Sequence, residues 1–443
     1  MASSYLTHTL STVDANGNKK GTFSAWMKRS VIGVEHVFYN VKTDANNYAR
    51  FRFNDDDTIN VNSQTSGTAY YATTTAKFRD PSAFYHVVIT YDTSQSTEAD
   101  RIKIYVNGAE ETKSASNYPS QDSTIYLLES GQAQVIGYET GASGYFDGLI
   151  SYANYTEGYG YAASDFGETD SSSGIWKWKS PSVTYGTNGF YLKMDTSSPG
   201  TDSSGGSNTF TTSGTLTLAQ DNASNNFCTL NSLVPQNNVS FSNANNTWTS
   251  TTYNSYPNGT MVMSKGKWYY EVKVGGTRGK YGFAESSVPQ GDADSSSTIP
   301  AYWIYTSAVG AVTRADNATG SNQTVESGWT GWTTNDILGF ALDIDNGKFY
   351  ASLNGTWYNS GDPAAGTGAV VTGIIQRSTG LWLPFLGSGD SGSITNHTNF
   401  GNGFFGTTAV TSANSDAAGH GLMEYAVPTG FYTICTKNIN EYG

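Results

Sequence analysis

Short runs of alternating hydrophobic and polar residues recur along the chain, separated by Gly, Asn, Asp and Ser. In the stretch RIKIYVNG at residues 101–108, the apolar Ile102, Ile104 and Val106 occupy every second position. This period of two is typical of a strand with one buried face. Asn107-Gly108 then provides the positive φ angles of a tight turn. The pattern predicts antiparallel strands joined by hairpins.

The same pattern predicts strands in two blocks of the chain. In the first block they lie at residues 23–30, 36–42, 48–54, 84–92, 101–108, 133–139 and 144–155. In the second block they lie at residues 267–274, 280–286, 337–344, 348–355 and 381–387. A long amphipathic helix is not visible, and the best helical candidate is a single turn within YAASDFGE at residues 161–168.

The length of the chain, 443 residues, exceeds the roughly 100–200 residues of a usual domain. Between the two blocks, residues 195–215 are dominated by Ser, Gly and Thr, a composition that usually crosses a surface. We therefore predict a first domain at residues 1–180, a connection at 181–234 with one strand at 189–194, and a second domain at 235–443.

The composition supports the all-β prediction and indicates which classes of binding partner are disfavoured. Charged residues make up 14% of the chain, against about 25% in typical domains, while Gly (49) and Tyr (30) are abundant. A net charge of −13 disfavours nucleic acid and anionic membranes as partners. The chain has no apolar run long enough for a membrane span, and its first residues lack the apolar core of a signal peptide. We expect synthesis in a cytoplasm.

Cysteine and histidine residues give little sign of metal or catalytic chemistry. Cys228 and Cys435 are too few for a disulfide framework, and free buried thiols are favoured over a single bridge between them. The five histidines show neither the spacing of a metalloprotease nor an accompanying G-x-S-x-G motif. His86 lies within a predicted strand, where a histidine satisfied by its neighbours is the ordinary expectation.

The two blocks resemble two known families of β-sandwich. FSAWMKRS, FYHVVITYD, RIKIYVNGAEE and VIGYETGASGYFDGLISYANY follow in the order used by concanavalin A-like, laminin-G-type jelly rolls. KGKWYYEVKV, YGFAES, DILGFALDIDNGKFYASLNG and LWLPFLGSGDSG are similar to successive parts of the SPRY pattern. The resemblance implies an all-β protein of two tandem antiparallel β-sandwiches, first concanavalin A-like and then SPRY-like.

The join between the blocks and the end of the chain resemble segments of large structural proteins of tailed bacteriophages. The segments concerned are SDFGETDSSSGIWKWK, YGTNGFYLKMDTSSPGTDSSGGSNTFTTSGTLT, DNASNNFCTLNSL and PTGFYTICTKNI. This resemblance implies a protein on the virion surface, made in the host cytoplasm and bound to other virion proteins. It does not decide between a tail fibre, a spike and a head decoration.

Asp343 and Asp345 raise the question of a glycan-cleaving site, because they alternate along the predicted strand before Asn346-Gly347. Retaining glucanases of the jelly-roll type carry Glu-x-Asp-x-x-Glu or Glu-x-Asp-x-Glu on one strand, with the two catalytic carboxyl groups about 5 Å apart. No Glu lies nearby in this chain. We therefore interpret both aspartates as part of a strand and hairpin turn, and we predict no catalytic residues.

Two further sets of residues are candidate binding sites. Five aromatic residues of the second block lie in or beside Gly- and Ser-rich stretches and could form a platform for a sugar ring or a partner protein; they are Tyr302, Trp303, Trp329, Trp332 and Trp357. The alternative is that most of them fill the core. Asp55 and Asp57 are candidate calcium ligands in a rim loop, although a solvated turn is the favoured interpretation.

The leading hypothesis is a non-enzymatic virion surface protein whose lectin-like domains bind host-surface glycans or neighbouring proteins. A polysaccharide depolymerase and a purely architectural virion component are the alternatives. We expect no cofactor. The one candidate is a calcium ion at the loop that contains Asp55 and Asp57, which we call the aspartate loop. Because most oligomers are symmetric assemblies of one chain, we also expect self-association as a trimer or dimer.

Overall fold

The computed structural model describes residues 4–141, 144–194, 198–233, 238–251, 255–286, 301–306, 311–316, 323–374, 380–388 and 393–443. Strands account for 45% and helix for 4%, so the predicted all-β class is confirmed. The chain divides into two compact units. The first unit comprises Met1–Leu218 with Asn222–Ser224, and the second comprises Ala219–Asp221 with Asn225–Gly443.

The first unit is built from antiparallel strands and two short 3-10 turns, Glu98–Asp100 and Ala163–Asp165. Its strands are β1 (Tyr5–Thr9), β2 (Lys20–Arg29), β3 (His36–Asp44), β4 (Asn47–Phe53), β5 (Ile59–Thr65), β6 (Thr68–Thr74), β7 (Tyr85–Asp92), β8 (Ile102–Val106), β9 (Ala109–Glu110), β10 (Lys113–Asn117), β11 (Ala133–Ile136), β12 (Gly148–Glu157), β13 (Gly167–Thr169), β14 (Trp176–Trp178), β15 (Phe190–Leu192) and β16 (Thr211–Ser213).

Fourteen of these strands form two large sheets whose apolar faces enclose one core, and β13 and β14 form a separate two-stranded sheet. The eight-stranded sheet has the order β10-β6-β5-β4-β3-β11-β1-β16, and the six-stranded sheet has the order β15-β12-β2-β7-β8-β9. Phe23 of β2 contacts Tyr39 of β3 and Phe51 of β4 across the interior, with ring centroids 5.2 and 5.9 Å apart. The alternation predicted for β8 is confirmed, since Ile102, Ile104 and Val106 all enter this core.

The second unit is a second antiparallel sandwich with one short helix. Its elements are β17 (Val239–Ser242), β18 (Thr247–Ser250), β19 (Lys267–Lys273), β20 (Gly279–Glu285), β21 (Ala301–Thr306), β22 (Ala311–Asp316), β23 (Gln323–Thr330), β24 (Ile337–Asp343), β25 (Lys348–Leu353), β26 (Thr356–Trp357), a 3-10 turn (Tyr358–Ser360), β27 (Val371–Thr372), β28 (Trp382–Ser388), β29 (Ile394–Asn399), β30 (Phe404–Phe405), β31 (Thr408–Ala409), β32 (Tyr432–Thr433) and α1 (Thr436–Tyr442).

Its core lies between a nine-stranded sheet centred on β19 and β24 and a five-stranded sheet ordered β23-β22-β21-β20-β28. Tyr270 of β19 packs edge-on against Phe283 of β20, with ring centroids 5.2 Å apart. Its hydroxyl donates to the Gly282 carbonyl at 2.6 Å, so this buried polar group is satisfied within the core. The predicted pair of tandem antiparallel sandwiches is thus confirmed.

The division between the units differs from the predicted boundaries, because much of the segment predicted as a connection belongs to the first sandwich. Strand β15, within the predicted strand at 189–194, pairs with β12, and β16 pairs with β1. Asp202 also anchors this segment, since its carboxylate accepts hydrogen bonds from the Tyr191 and Asn208 backbone amides. Backbone pairing and a buried Phe190 outweigh the polar composition of the segment.

Three smaller expectations can be compared with the structure. Cys228 and Cys435 are both buried thiols that are not joined in a disulfide, as predicted. His86 is fully buried and satisfied, because its ring nitrogens bond to the Ser24 hydroxyl and the Trp176 indole, both at 2.9 Å. Burial lowers the pKa of His86 to about 3. Among the described residues, no helix has the length and apolar character needed to span a membrane.

Candidate functional site

The aromatic platform predicted in the second unit is not supported for three of its five residues. Tyr302, Trp303 and Trp332 expose only 0%, 1% and 2% of their surface. Tyr302 packs against Trp382, and Trp332 packs edge-on against Tyr281. The prediction was wrong here because Gly- and Ser-rich neighbours do not keep a large aromatic side chain out of the core.

Trp329 and Trp357 are half-buried, and each is held against other aromatic rings. Trp329 stacks on Tyr358 with centroids 5.1 Å apart. Trp357 meets Tyr269 and Tyr350 edge-on, at 6.2 and 6.4 Å. These contacts make them edges of two apolar clusters and do not form one shared platform. Their partial exposure leaves a binding role for either residue as a prediction.

The aspartates of the second unit have structural partners, as the hairpin interpretation predicted. Asp343 is buried, accepts a hydrogen bond from the Asn346 amide at 2.9 Å and pairs with the Lys267 ammonium at 3.1 Å. Asp345 accepts from the Gly266 amide at 2.8 Å. The carboxylates thereby fix the turn between β24 and β25 and its contact with β19.

Asp57 also has hydrogen-bond and ion-pair partners, and these compete with its use as a calcium ligand. One carboxylate oxygen accepts from the Arg29 guanidinium at 3.0 Å and from the Gly33 amide at 2.8 Å, and the other accepts from Arg79 at 2.8 Å. Burial alone would raise the pKa of Asp57, but these bonds outweigh it and hold the pKa below its usual value. Asp55 is exposed. Across the described ranges, no group of three or more His, Cys, Asp or Glu is placed to hold a metal ion.

A different site emerges on the outer face of the eight-stranded sheet. In β4 the residues Ala49, Phe51 and Phe53 point into the core, so the alternate residues point outward. The same holds for β5 and β6, and the strand register aligns the outward residues into cross-strand rows. We call this set the polar face; its members are Tyr48, Arg50, Arg52, Asn60, Asn62, Gln64, Tyr71 and Thr73.

Cross-strand hydrogen bonds order the rows of the polar face. Tyr48 donates to the Gln64 side-chain carbonyl at 2.9 Å, and Asn60 donates to the Thr73 hydroxyl at 2.8 Å. Arg50 lies directly opposite Asn62, which lies opposite Tyr71. Amide, hydroxyl and guanidinium groups therefore repeat from strand to strand, at a spacing of about 4.8 Å.

Two carboxylates hold the arginines of the polar face in place. Arg50 pairs with Glu139 at 3.0 Å, and Arg52 pairs with Glu35. The arginine side chains retain 17% and 20% exposure. Burial and the neighbouring Arg50 guanidinium lower the pKa of Arg52, while Glu35 opposes that effect. Because Glu139 and Glu35 neutralise the two arginines, the polar face presents hydrogen-bond donors and acceptors in fixed positions and little net charge.

The polar face also has hydrogen-bonding capacity that its own members do not use. The side-chain carbonyl oxygens of Asn60 and Asn62 and the Nε–H groups of Arg50 and Arg52 have no partner within the described part of the chain. Native proteins seldom leave such groups unpaired, so water or a ligand is the expected partner. All four atoms are buried, so an amide or guanidinium group would have to rotate before its unpaired atom met a molecule lying on the sheet.

Three stacked tyrosines flank the polar face, and we call them the tyrosine stack. Tyr138 stacks on Tyr5 and on Tyr145, with ring centroids 4.8 and 4.5 Å apart, and Tyr5 and Tyr145 lie 6.5 Å from each other. All three rings are partly exposed. Glu139, the next residue after Tyr138, is the one that pairs with Arg50. Glu139 thus links the tyrosine stack, beside β11 and β1, to the polar face across β3.

Sequence reasoning did not identify this surface, although part of its signal was present. The alternation in YARFRFN places Arg50 and Arg52 on one face of a predicted strand. The neighbouring strand β6 has the sequence TAYYATT, whose pattern is too weakly apolar to stand out. Tyr5 and Tyr138 are distant along the chain, and only the pairing of β1 with β11 brings them together.

Comparison with known proteins agrees with the fold of the first unit. Residues 2–154 match the family model described as the concanavalin A-like lectin/glucanases superfamily. The first unit therefore has the concanavalin A-like fold that its sequence motifs implied. A search of curated proteins found no match to this chain.

Solved structures similar to the chain include members of both expected fold types. A heptameric pentraxin from Limulus polyphemus is 15% identical, with 36% of this chain and 72% of that chain covered and a TM-score of 0.28. Domains LG4-5 of the mouse laminin alpha1 chain are 10% identical, with coverage of 89% and 84% and a TM-score of 0.30. The SPRY domain of human HERC1 is 12% identical, with coverage of 34% and 87% and a TM-score of 0.25.

Proposed function

We propose that this chain is a non-enzymatic surface protein of a tailed-phage virion, and that its first unit binds glycans of the host surface. The observation that carries the binding role is the polar face with its adjoining tyrosine stack. The concanavalin A-like lectin fold of residues 2–154 supports it. The virion role is supported by the sequence resemblance of the join and of the chain end to phage structural proteins.

The chemistry of the surface suits a sugar chain. Each sugar hydroxyl both donates and accepts a hydrogen bond, and the polar face aligns the amide of Asn62 with the guanidinium of Arg50 and the hydroxyl of Tyr71, a group that both donates and accepts. Sugar rings also have an apolar side that packs on aromatic rings, which Tyr138 and its neighbours provide. A glycan that met both features would have to extend from β4 across β3 to β11 and β1.

The direct test is binding of the purified full chain to a panel of bacterial surface polysaccharides, measured by calorimetry. Asn62→Ala is the first variant, because no described hydrogen bond depends on its side-chain carbonyl. Tyr71→Ala is the second. We expect each to weaken binding about tenfold, or about 1.4 kcal/mol. Gln121→Ala is the matched control, since this exposed amide bonds only to the Ser94 carbonyl among the described contacts.

Equal affinity of Asn62→Ala, Tyr71→Ala and the unmodified protein would show that the polar face is not the binding surface. Release of reducing sugar from a bound polysaccharide would instead favour the depolymerase hypothesis. Density for this chain in a map of the intact particle would test the virion role, which the binding assay does not address. Sedimentation of the purified chain tests the expected trimer or dimer.

A further inference from the structure

A second concave surface of the first unit lies on its other sheet. It is a mainly polar groove of about 540 Å³, bordered by the partly exposed Tyr161 and Tyr185 and by Tyr191, which is only 7% exposed. The segment 180–184 and the pair Ser203-Ser204 complete the lining, together with Lys193. We call it the tyrosine groove. All of its residues follow residue 154, the last residue matched by the family model.

The groove is located on the outer face of the six-stranded sheet. Phe190 and Leu192 of β15 enter the core, so Tyr191 between them points outward and forms part of the groove. The polar face lies on the outer face of the eight-stranded sheet. Because the two sheets share one core, their outer faces point in opposite directions. The groove and the polar face are therefore separate surfaces.

Hydrogen bonds fix both walls of the groove. On one side, Asp202 accepts from the Tyr191 and Ser204 backbone amides at 2.9 and 2.8 Å. On the other side, the Tyr161 hydroxyl accepts from the Thr184 amide at 2.8 Å, and Tyr185 donates to the Asn154 side-chain carbonyl at 2.9 Å. A ligand would bind a shape that already exists, so little ordering cost opposes binding.

The aromatic surface extends from the groove to a neighbouring pair, Tyr152 and Trp178. Their rings stack with centroids 4.7 Å apart, and both are partly exposed. Tyr152 has a φ of +52° at a register shift in β12, a backbone region that non-glycine residues seldom adopt. Bulges with such strained residues often re-aim a side chain near a functional site. Here the bulge presents Tyr152 beside Trp178.

The charge of the groove lining indicates which class of ligand the tyrosine groove would bind. Lys193 is the one charged side chain among the residues that line the groove, and its ammonium lies 6.0 Å from the centre of the Tyr191 ring. The remaining polar lining consists of serine and threonine hydroxyls and the backbone of 180–184. In a chain with a net charge of −13, a cation within an aromatic groove favours a ligand that carries its own negative group.

We propose that the tyrosine groove, extended by Trp178, binds an acidic oligosaccharide. The sugar rings pack on the partly exposed rings of Trp178, Tyr152 and Tyr161, the hydroxyls bond to the serine and threonine lining, and the anionic group meets Lys193. This site goes beyond the proposed function and does not depend on it. A chain with both sites would hold two glycan segments on opposite faces of one sandwich, which raises avidity when both are engaged.

The test is calorimetric titration of the full chain with an oligogalacturonate trisaccharide, with the neutral galactose trisaccharide as the matched ligand. We expect the acidic ligand to bind about tenfold more tightly than the neutral one, and added salt to weaken it. Lys193→Ala removes that preference. Trp178→Ala weakens both ligands about tenfold because a stacking surface is lost.

Two variants serve as controls. Lys177→Ala removes a lysine that pairs with Glu168 and Asp170 in the neighbouring hairpin, and it leaves affinity unchanged. Asn62→Ala on the polar face also leaves this affinity unchanged. The proposal is overturned by absence of binding at millimolar ligand, by equal binding of both trisaccharides, or by titrations insensitive to Lys193→Ala and Trp178→Ala. Binding of an acidic peptide but not of the saccharide, with the same sensitivity to these variants, overturns the assignment of ligand class.

Discussion

Aromatic residues have different structural roles in the two units. In the second unit the large rings lie on inward-facing strand positions, and Trp248, Trp268 and Trp382 are fully buried. In the first unit several tyrosines lie on outward-facing positions or just past a strand end, and the partly exposed Tyr138 and Tyr161 take part in stacked or concave surfaces. Abundance of aromatics is therefore no guide to binding. The direction in which the strand points each ring decides its role.

Removal of one tryptophan from each unit tests this difference most directly. Trp332→Ala should destabilise the second unit by about 3–5 kcal/mol, because the ring fills space beside Tyr281 and a cavity would remain. Trp178→Ala should cost the first unit about 1 kcal/mol, since it loses mainly the stack on partly exposed Tyr152. Chemical denaturation followed by tryptophan fluorescence measures both. Equal costs would show that burial does not separate the two sets of rings.

The next effect concerns a buried charge in the second unit. Glu271 is fully buried in β19, where it accepts hydrogen bonds from the Glu424 and Tyr425 amides at 2.9 and 2.8 Å. Burial raises the pKa of Glu271 from 4.5 to about 7, although these bonds oppose the shift. The folded state then holds a proton that the unfolded state has released. The stability contribution is present below about pH 4.5 and is lost as the pH rises through about 7.

We expect that loss to amount to about 3 kcal/mol. The free energy of unfolding of the second unit, measured by denaturant titration between pH 4.5 and 7.5, gives the slope. Glu271→Gln should flatten it, because the amide does not titrate. Glu441→Gln is the control, since this exposed carboxylate lies in α1 and is not among the groups that shift the pKa of Glu271. A slope that persists in Glu271→Gln would assign the pH dependence to another group.

The sequence was sufficient for what depends on local pattern. It predicted the face of β8, the positive φ angles of Asn107 and Gly108, and the turn role of Asp343. It could not predict which aromatics are buried, because Trp332 and Trp178 both stand in polar surroundings along the chain. Nor could it align Arg50 with Asn62 and Tyr71, since strand register depends on the tertiary fold. The tyrosine groove joins Tyr161 to Ser203, a contact that no local pattern indicates.

A smaller effect is expected at the tyrosine stack. Tyr138→Ala removes the central ring, and we expect glycan affinity to fall about tenfold, or about 1.4 kcal/mol, if the stack packs against sugar rings. Tyr138→Phe keeps the ring and should bind within about twofold of the unmodified protein. Calorimetry with the polysaccharide that the unmodified protein binds gives both values. A large loss in Tyr138→Phe would assign the role to the hydroxyl and contradict stacking.

The smallest expected effect is that of calcium on the first unit. A ligand that binds the folded state stabilises it in proportion to the logarithm of its concentration over Kd. Asp57 already accepts from Arg29, Arg79 and the Gly33 amide, so a calcium ion would have to displace cations held at 2.8–3.0 Å. Asp55 alone offers too few oxygen ligands, because calcium takes about 6–8. We therefore expect millimolar calcium, or its removal by a chelator, to leave the melting temperature of the first unit unchanged.

A rise in the melting temperature that disappears in Asp55→Asn, a change that leaves the ion pairs of Asp57 intact, would establish the aspartate loop as a calcium site. A rise that persists in that variant would place the ion elsewhere in the chain.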